Sequence, residues 1–70
     1  MFYRLFISTG VTVDFEESYI MDFWSKENAI STVRFYEDMA INQTEPINWM
    51  ELYEMHPDKN ESVLILDITF

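Results

Sequence analysis

Two kinds of hydrophobic spacing run along the chain, and they predict strands on both sides of a single helix. Residues 2–9 alternate, with Tyr3, Leu5 and Ile7 on one side. Aromatic residues stand on both sides of this alternation, which predicts a strand covered on one face and partly covered on the other.

The helical signal is confined to residues 25–42. Ser25 is suited to cap the N terminus, and Glu27 suits the positive end of the helix dipole. The apolar residues that recur at helical spacing are Ala29, Ile30, Val33, Tyr36, Ala40 and Ile41. We expect this stripe to face the core, while the residues between them, among them Arg34 and Asp38, face solvent.

The segment between the first strand and the helix permits two interpretations. Residues 11–15 alternate again, and residues 19–24 form a further apolar run. They form either one bent strand or two short strands, with the break expected at residues 16–18. Gly10, the only glycine, marks a turn or a bulge before them.

After the helix, residues 42–46 form a polar connection that ends in Pro46. Residues 47–55 alternate like a strand, although Pro46 could equally be the first residue of a short helix; we favour the strand. Residues 56–60 have strong turn chemistry. Residues 62–70 contain a continuous aliphatic run, which indicates a central strand buried on both faces, or a strand packed between the helix and a partner.

Together these elements predict an α+β fold in a single domain, residues 1–70. A small antiparallel sheet of about four strands, in the chain order β-β-α-β-β, carries the one helix on one face. A chain of this length has a marginal core, so part of its apolar surface could serve an oligomer interface. The sequence leaves a homodimer open.

Charge changes this picture most. Thirteen acidic residues against four basic ones give a net charge of −9. The high content of apolar residues argues against disorder. Direct binding to nucleic acid or to an anionic membrane is disfavoured, because both need a basic surface. The favoured partner is therefore a basic protein.

Catalytic and cofactor motifs are missing from the sequence. One glycine cannot form a phosphate-binding loop, and no cysteine is present as a nucleophile or zinc ligand. The single His56 precedes Pro57 in a turn, where a surface role is the expected one. Residues 58–69 begin like a calcium loop, but Val63 and Thr69 occupy the positions that need glycine and glutamate. We therefore expect a protein that is not an enzyme and that needs neither a cofactor nor a metal.

The apolar run near the N terminus is too short for a secretory signal or a membrane span, which makes the cytoplasm the expected location. Ten of the thirteen acidic residues lie in two blocks without a cation, one between Arg4 and Lys26 and one between Arg34 and Lys59. Such blocks could simply be a solvated face that keeps a small protein in solution. They could also imitate a polyanion and occupy a basic groove. The acidic residues predicted to bind the partner are Asp14, Glu16, Glu17, Asp22, Glu37, Asp38, Glu51 and Glu54.

The acidic blocks VDFEE (13–17), FYEDM (35–39) and WMELYEM (49–55), with the short length and the absence of cysteine, carry a resemblance. The chain resembles small acidic bacteriophage host-takeover proteins, in particular phage inhibitors of the bacterial nucleoid protein HU. The resemblance implies a DNA mimic that occupies the DNA-binding surface of an HU-like host protein in the infected cell.

Two other classes of function remain as alternatives. A phage protein-interaction module could inhibit a CRISPR nuclease or RNA polymerase through a hydrophobic surface, with Trp49, Tyr53 or Phe70 as its main contacts. A small enzyme would show a deep pocket that encloses perturbed carboxylates.

Overall fold

The computed structural model describes residues 1–10, 17–42 and 46–70. Its strands are β1 (Phe2–Thr9), β2 (Glu17–Phe23), β3 (Ile47–His56) and β4 (Glu61–Thr69), and its helix is α1 (Lys26–Ile41). The strands form one antiparallel sheet in the order β2-β1-β3-β4. The helix packs on β1, β2 and β3. The predicted α+β class, with one helix on one face of a four-stranded sheet, is confirmed.

The core lies between α1 and the two central strands. Leu5 of β1 and Leu52 of β3 are directly paired and fully buried. Full burial of a leucine contributes about 1.5–3 kcal/mol, so this pair anchors the centre of the sheet. The complete buried hydrophobic set is Tyr3, Leu5, Ile7, Ala29, Val33, Ile47, Met50 and Leu52.

The predicted cap and most of the predicted stripe of α1 are confirmed. The Ser25 hydroxyl accepts a hydrogen bond from the Asn28 backbone N–H at 3.4 Å, and Ala29 and Val33 are buried. Ile41 is an exception, since it is 66% exposed. At 3.6 residues per turn it lies about 110° from the middle of the stripe, which places it outside the contact with the sheet.

The ambiguous segment after Pro46 is a strand, β3, and a short 3₁₀ helix, Pro57–Lys59, connects it to β4. Asn60 follows with a φ of 53°, in the left-handed region that Asn tolerates better than most residues. Its N–H donates to the carbonyl of Pro57 at 3.2 Å. This turn returns the chain so that β4 pairs with β3.

Residues 62–70 form a strand as predicted, but the alternative in which this strand is central and buried on both faces is wrong. β4 lies at the edge of the sheet, and Val63 and Leu64 are 51% and 46% exposed. Its pairing with β3 shifts opposite Leu52 and Tyr53, where β4 has one extra residue. Because α1 lies mainly over the other three strands, it leaves Val63 exposed, whereas Ile65, Leu66 and Ile68 are partly buried against the core.

Two sequence-based expectations fall outside the described residues. These are the possible strand at residues 11–15 and most of the connection at residues 42–46. β2 begins at Glu17, within the predicted break. Gly10 has a φ of 143°, which favours glycine, and its N–H donates to the Pro46 carbonyl at 2.8 Å.

Candidate functional site

The eight acidic residues predicted as a partner-binding surface are divided among several parts of the molecule. Asp14 and Glu16 lie outside the described residues. The six others lie on two strands, β2 and β3, or on the helix; they are Glu17, Asp22, Glu37, Asp38, Glu51 and Glu54. As the strand registers show, these six do not share one face.

The side of the sheet opposite α1 is here called the open face. Side chains alternate between the two faces along a strand, and directly paired residues share a face. Since Leu5 and Leu52 point towards the helix, their neighbours in sequence point to the open face. The large apolar side chains of the open face are Phe2, Phe6, Ile20, Trp49, Tyr53, Met55 and Leu64.

Aromatic contacts organise this face. The rings of Phe6 and Tyr53 meet edge to face, with centroids 5.6 Å apart and an interplanar angle of 90°. Phe2 contacts Trp24 in a similar way at 6.1 Å. Trp24, which follows β2, is nevertheless 87% exposed. An exposed tryptophan beside a sheet face rich in aromatic residues is typical of a protein-binding surface.

Two carboxylates of the open face lie opposite each other. Glu51 of β3 is directly paired with Asp67 of β4, and among the described residues neither carboxylate forms an ion pair with a cation. Like charges in directly opposed positions of a sheet are destabilising. This pair is therefore a local cost to the fold, of the kind often found at functional sites.

The charges of Glu51 and Asp67 affect the pKa of the neighbouring Tyr53. Its hydroxyl donates a hydrogen bond to Glu51 Oε1 at 3.3 Å. The pKa of Tyr53 is raised above its ordinary value of 10.0, first by removal of the phenol from water and then by the negative charge of Glu51, the hydrogen bond to it, and the charge of Asp67. The neutral phenol is thus held next to the two acids as a hydrogen-bond donor.

The third carboxylate of the open face is neutralised. Asp22 accepts two hydrogen bonds from Arg4, at 2.8 Å from Nε and 3.0 Å from Nη2. The hydrogen bond with Arg4 is the main cause that lowers the pKa of Asp22. The same guanidinium lies over the Phe2 ring, 5.2 Å from its centroid. Arg4 therefore ties Asp22 to the aromatic cluster.

Glu54 and Glu17 point to the side of the sheet that carries the helix. Glu54 is paired with the buried Tyr3, and its Oε1 lies 2.6 Å from His56 Nε2. Glu17 accepts a hydrogen bond from the Tyr19 hydroxyl. Because Glu51 and Glu54 are three residues apart in a strand, alternation places them on opposite faces. Sequence proximity within the WMELYEM block therefore did not predict a shared surface.

The helical acids occupy a third location. Asp38 is exposed on α1, while Glu37 is half-buried at a groove of about 270 Å³ between α1 and β4. We call this the α1–β4 groove. Its other lining residues are Ile30, Val33, Arg34, Ile65, Leu66 and Ile68. Within the described ranges, no three His, Asp or Glu side chains are grouped so that they could hold a metal ion.

Sequence reasoning missed Asp67, although it is the closest acidic neighbour of Glu51 across the sheet. The useful signal was the turn at residues 56–60, which predicts that the two flanking strands pair. The extra residue in β4 changes the register, however, and a register with such an irregularity does not follow from alternation alone.

Comparison with protein-family models, with curated proteins and with solved structures gives no match. The fold and the open face define a small α+β domain with an acidic, aromatic surface. In the described parts of the chain, no helix combines the length and the apolar character needed to cross a membrane.

Proposed function

We propose that this protein is a non-catalytic inhibitor that binds the basic DNA-binding surface of a host nucleoid-associated protein of the HU type and excludes DNA from it. The observation that carries the proposal is the Glu51–Asp67 pair, because it places two uncompensated carboxylates side by side on an aromatic surface. A basic partner would relieve the repulsion between them. The repulsion between the two carboxylates thus destabilises the free protein, and binding to a basic partner would remove this destabilisation.

The charge balance of the open face supports this proposal. Among the described residues, Arg4 is the cation of this face, and Asp22 already neutralises it. Lys26 and Arg34 belong to α1, and Lys59 belongs to the turn before β4. The open face therefore presents net negative charge to a partner, which favours fast encounter with a basic groove.

The dimensions support a decoy of limited length. The longest extent of the molecule is 37 Å, and a DNA duplex carries about 22 negative charges over that distance, at one per roughly 1.7 Å. The net charge of one chain, −9, is less than half of this. The aromatic residues of the open face supply contact area and cation–π partners for Lys and Arg that a phosphate backbone does not have.

The proposal is tested by displacement of a fluorescent DNA duplex from purified bacterial HU. The double variant Glu51→Lys/Asp67→Lys is compared with Glu27→Lys/Asp58→Lys, which changes the net charge equally at exposed positions away from the open face. We expect the open-face variant to weaken displacement by about 100-fold, as for two contacts of about 1.4 kcal/mol each, and the control by much less.

Rising salt should weaken the binding of the unmodified protein to HU, since the interaction is electrostatic. Circular dichroism of each variant checks that it is folded. Failure of the unmodified protein to displace DNA would contradict the proposal. Equal losses in the two double variants would contradict the role of the open face.

The exposed rings favour a second candidate, a phage interaction module that inhibits a CRISPR nuclease or RNA polymerase through hydrophobic contacts. Trp24 is 87% exposed, and Phe70 is 48% exposed. For this candidate, Trp24→Ala and Trp49→Ala should reduce binding more than Glu51→Lys/Asp67→Lys does, and binding should change little with salt. Assays of nuclease cleavage and of transcription with the same variants distinguish the two candidates.

A further inference from the structure

β4 has β3 as its strand neighbour on one side, and among the described residues no strand lies on its other side. Of the features by which natural edge strands prevent pairing with other chains, its sequence, Glu61–Thr69, lacks Pro and Lys but has one extra residue and the acids Glu61 and Asp67. Val63 and Leu64, near its middle, are about half exposed. We propose that β4 pairs antiparallel with β4 of a second copy, so that two sheets join into one continuous sheet.

The irregular register of β4 restricts pairing to registers that match the two faces on both sides of the extra residue, Ile65, and we propose the following one. Because of the extra residue, Ser62 and Asp67 both point to the open face, whereas Val63 and Leu66 both point to the helix side. A two-fold axis between residues 64 and 65 places Ser62 opposite Asp67 of the second copy, and Val63 opposite Leu66. A shift by one residue would oppose Glu61 to Asp67 and would bring side chains of different faces together.

The α1–β4 groove offers the second copy a complementary surface. Ile65, Leu66 and Ile68 line it on the β4 side, and Arg34 lies at its border on the helix. In the proposed register Glu61 of the second copy pairs with Ile68, which brings its carboxylate to this border. The ion pairs of the described residues include neither Arg34 nor Glu61. Pairing thus brings opposite charges together twice, once on each side of the axis.

A second copy also satisfies the geometry of the whole sheet. Pairing across an antiparallel edge keeps the faces aligned, so both helices lie on one side and both open faces on the other. The two Glu51–Asp67 pairs then belong to one continuous surface. The pairing is a property of the free protein, and its test needs no target protein.

The test begins with sedimentation equilibrium of the full chain at low and high sodium chloride. We expect a dimer whose association strengthens as salt rises, because each copy carries −9 and screening reduces their repulsion. Leu64→Lys, which puts two cations beside the axis, should raise the dimer Kd by at least about tenfold. Ile20→Lys is the matched control, because Ile20 is an exposed open-face residue of the opposite edge strand β2.

Cross-linking tests the register. The chain has no cysteine, so Ser62→Cys/Asp67→Cys introduces the only thiols. Within one copy these positions lie about 17 Å apart along the strand, too far for a disulfide. Mild oxidation should therefore give a covalent dimer from the double variant and none from either single variant. Arg34→Glu and Glu61→Arg should each weaken the dimer, and their combination should restore it.

A monomer at every salt concentration would overturn the proposal, and so would a dimer that Leu64→Lys leaves intact. A monomer that still displaces DNA from HU would overturn self-pairing and leave the proposed inhibition standing. If the unmodified protein forms the dimer but does not displace DNA from HU, only the proposed function is overturned.

Discussion

At the scale of residues, Glu51 and Asp67 oppose each other on the open face. This pair lowers the stability of the fold, and the proposed binding depends on it. A sheet optimised for stability would place opposite charges or apolar residues at such positions. The hydrogen bond from Tyr53 reaches only Glu51 and does not neutralise the pair. The Glu51–Asp67 pair therefore lowers the stability of the fold at the position where the proposed partner binds.

Asp67→Asn should stabilise the protein by roughly 0.2–1 kcal/mol, since it removes one of two directly opposed charges. Urea denaturation followed by circular dichroism measures this change. The same substitution should lower the pKa of Tyr53, because the charge of Asp67 contributes to its increase; desolvation should keep it above 10.0. Tyrosine ring signals in NMR measure this titration.

Asp58→Asn is the control for the Asp67 prediction, because Asp58 is exposed in the turn and lies off the sheet face. It should leave the pKa of Tyr53 unchanged. A less stable Asp67→Asn variant, with an unshifted Tyr53, would show that the two carboxylates do not repel each other in solution.

The Arg4–Asp22 pair predicts a dependence of stability on acid pH. The pKa of Asp22 is lowered from its ordinary 3.8 in the folded state. The folded state therefore binds fewer protons than the unfolded state in this range, so the pair stabilises the fold above pH 3.8 and loses this effect as the pH falls through the lowered pKa. Because the Asp22 side chain is 48% exposed, the effect should be small.

Asp22→Asn tests this dependence in chemical denaturation at several pH values. The unmodified protein should be the more stable one at neutral pH, and the difference should vanish in strong acid. A difference that is constant with pH would mean that the packing of Asp22, and not its charge, is what matters.

At the scale of elements, alternation and helical spacing predicted β1 and most of α1 because each has one buried face. Tyr3, Leu5 and Ile7 of β1 point to the helix and are buried, and Phe2, Arg4 and Phe6 on its open face are half-buried, as the mixed pattern indicated. The same reasoning predicted the strand β4, but its alternative of a central strand buried on both faces was wrong, because β4 lies at an edge with Val63 and Leu64 about half exposed. A run of hydrophobic residues indicates a surface that is buried, but it does not indicate whether the same chain or a partner buries that surface.

The acidic surface was predictable only in composition. Segregation along the sequence identified Glu51 and Glu54 as neighbours, yet alternation separates them, and the acid next to Glu51 in space comes from β4. Pairing between strands decides which charges meet, and an extra residue in one strand changes that pairing. The net charge therefore follows from the sequence, but the arrangement of the charged side chains in space does not.

The packing of α1 on the sheet depends on a small residue. Ala29 is fully buried between the helix and the strands. Ala29→Leu should destabilise the protein by about 1–3 kcal/mol, because the added carbons have no space in a packed core. Thermal unfolding followed by circular dichroism measures the loss, and Ser31→Leu on the exposed side of α1 is the control. An unchanged midpoint would show that helix and sheet are loosely packed.

At the scale of the whole molecule, a helix covers one face of the sheet while the other face stays open. The shortest extent is 15 Å, which fits two layers of secondary structure. A third layer supplied by another protein would cover the apolar side chains of the open face. The proposed function requires such an uncovered face.

The net charge predicts how salt affects the folded state as a whole. With −9 on 70 residues, repulsion within the compact state exceeds repulsion within the expanded one. Added sodium chloride should therefore raise the unfolding temperature, whereas it should weaken binding to HU. Differential scanning calorimetry at several salt concentrations measures the first effect. A falling unfolding temperature would show that local ion pairs outweigh the general repulsion.

The order of the strands has a consequence for biosynthesis. The two innermost strands are β1 and β3, and their pairing joins Phe2 to Met55. No central hydrogen-bond ladder can form until the ribosome has released β3. Folding must therefore wait for translation of most of the sequence, and until then the nascent β1 and α1 expose the apolar residues that later meet in the core.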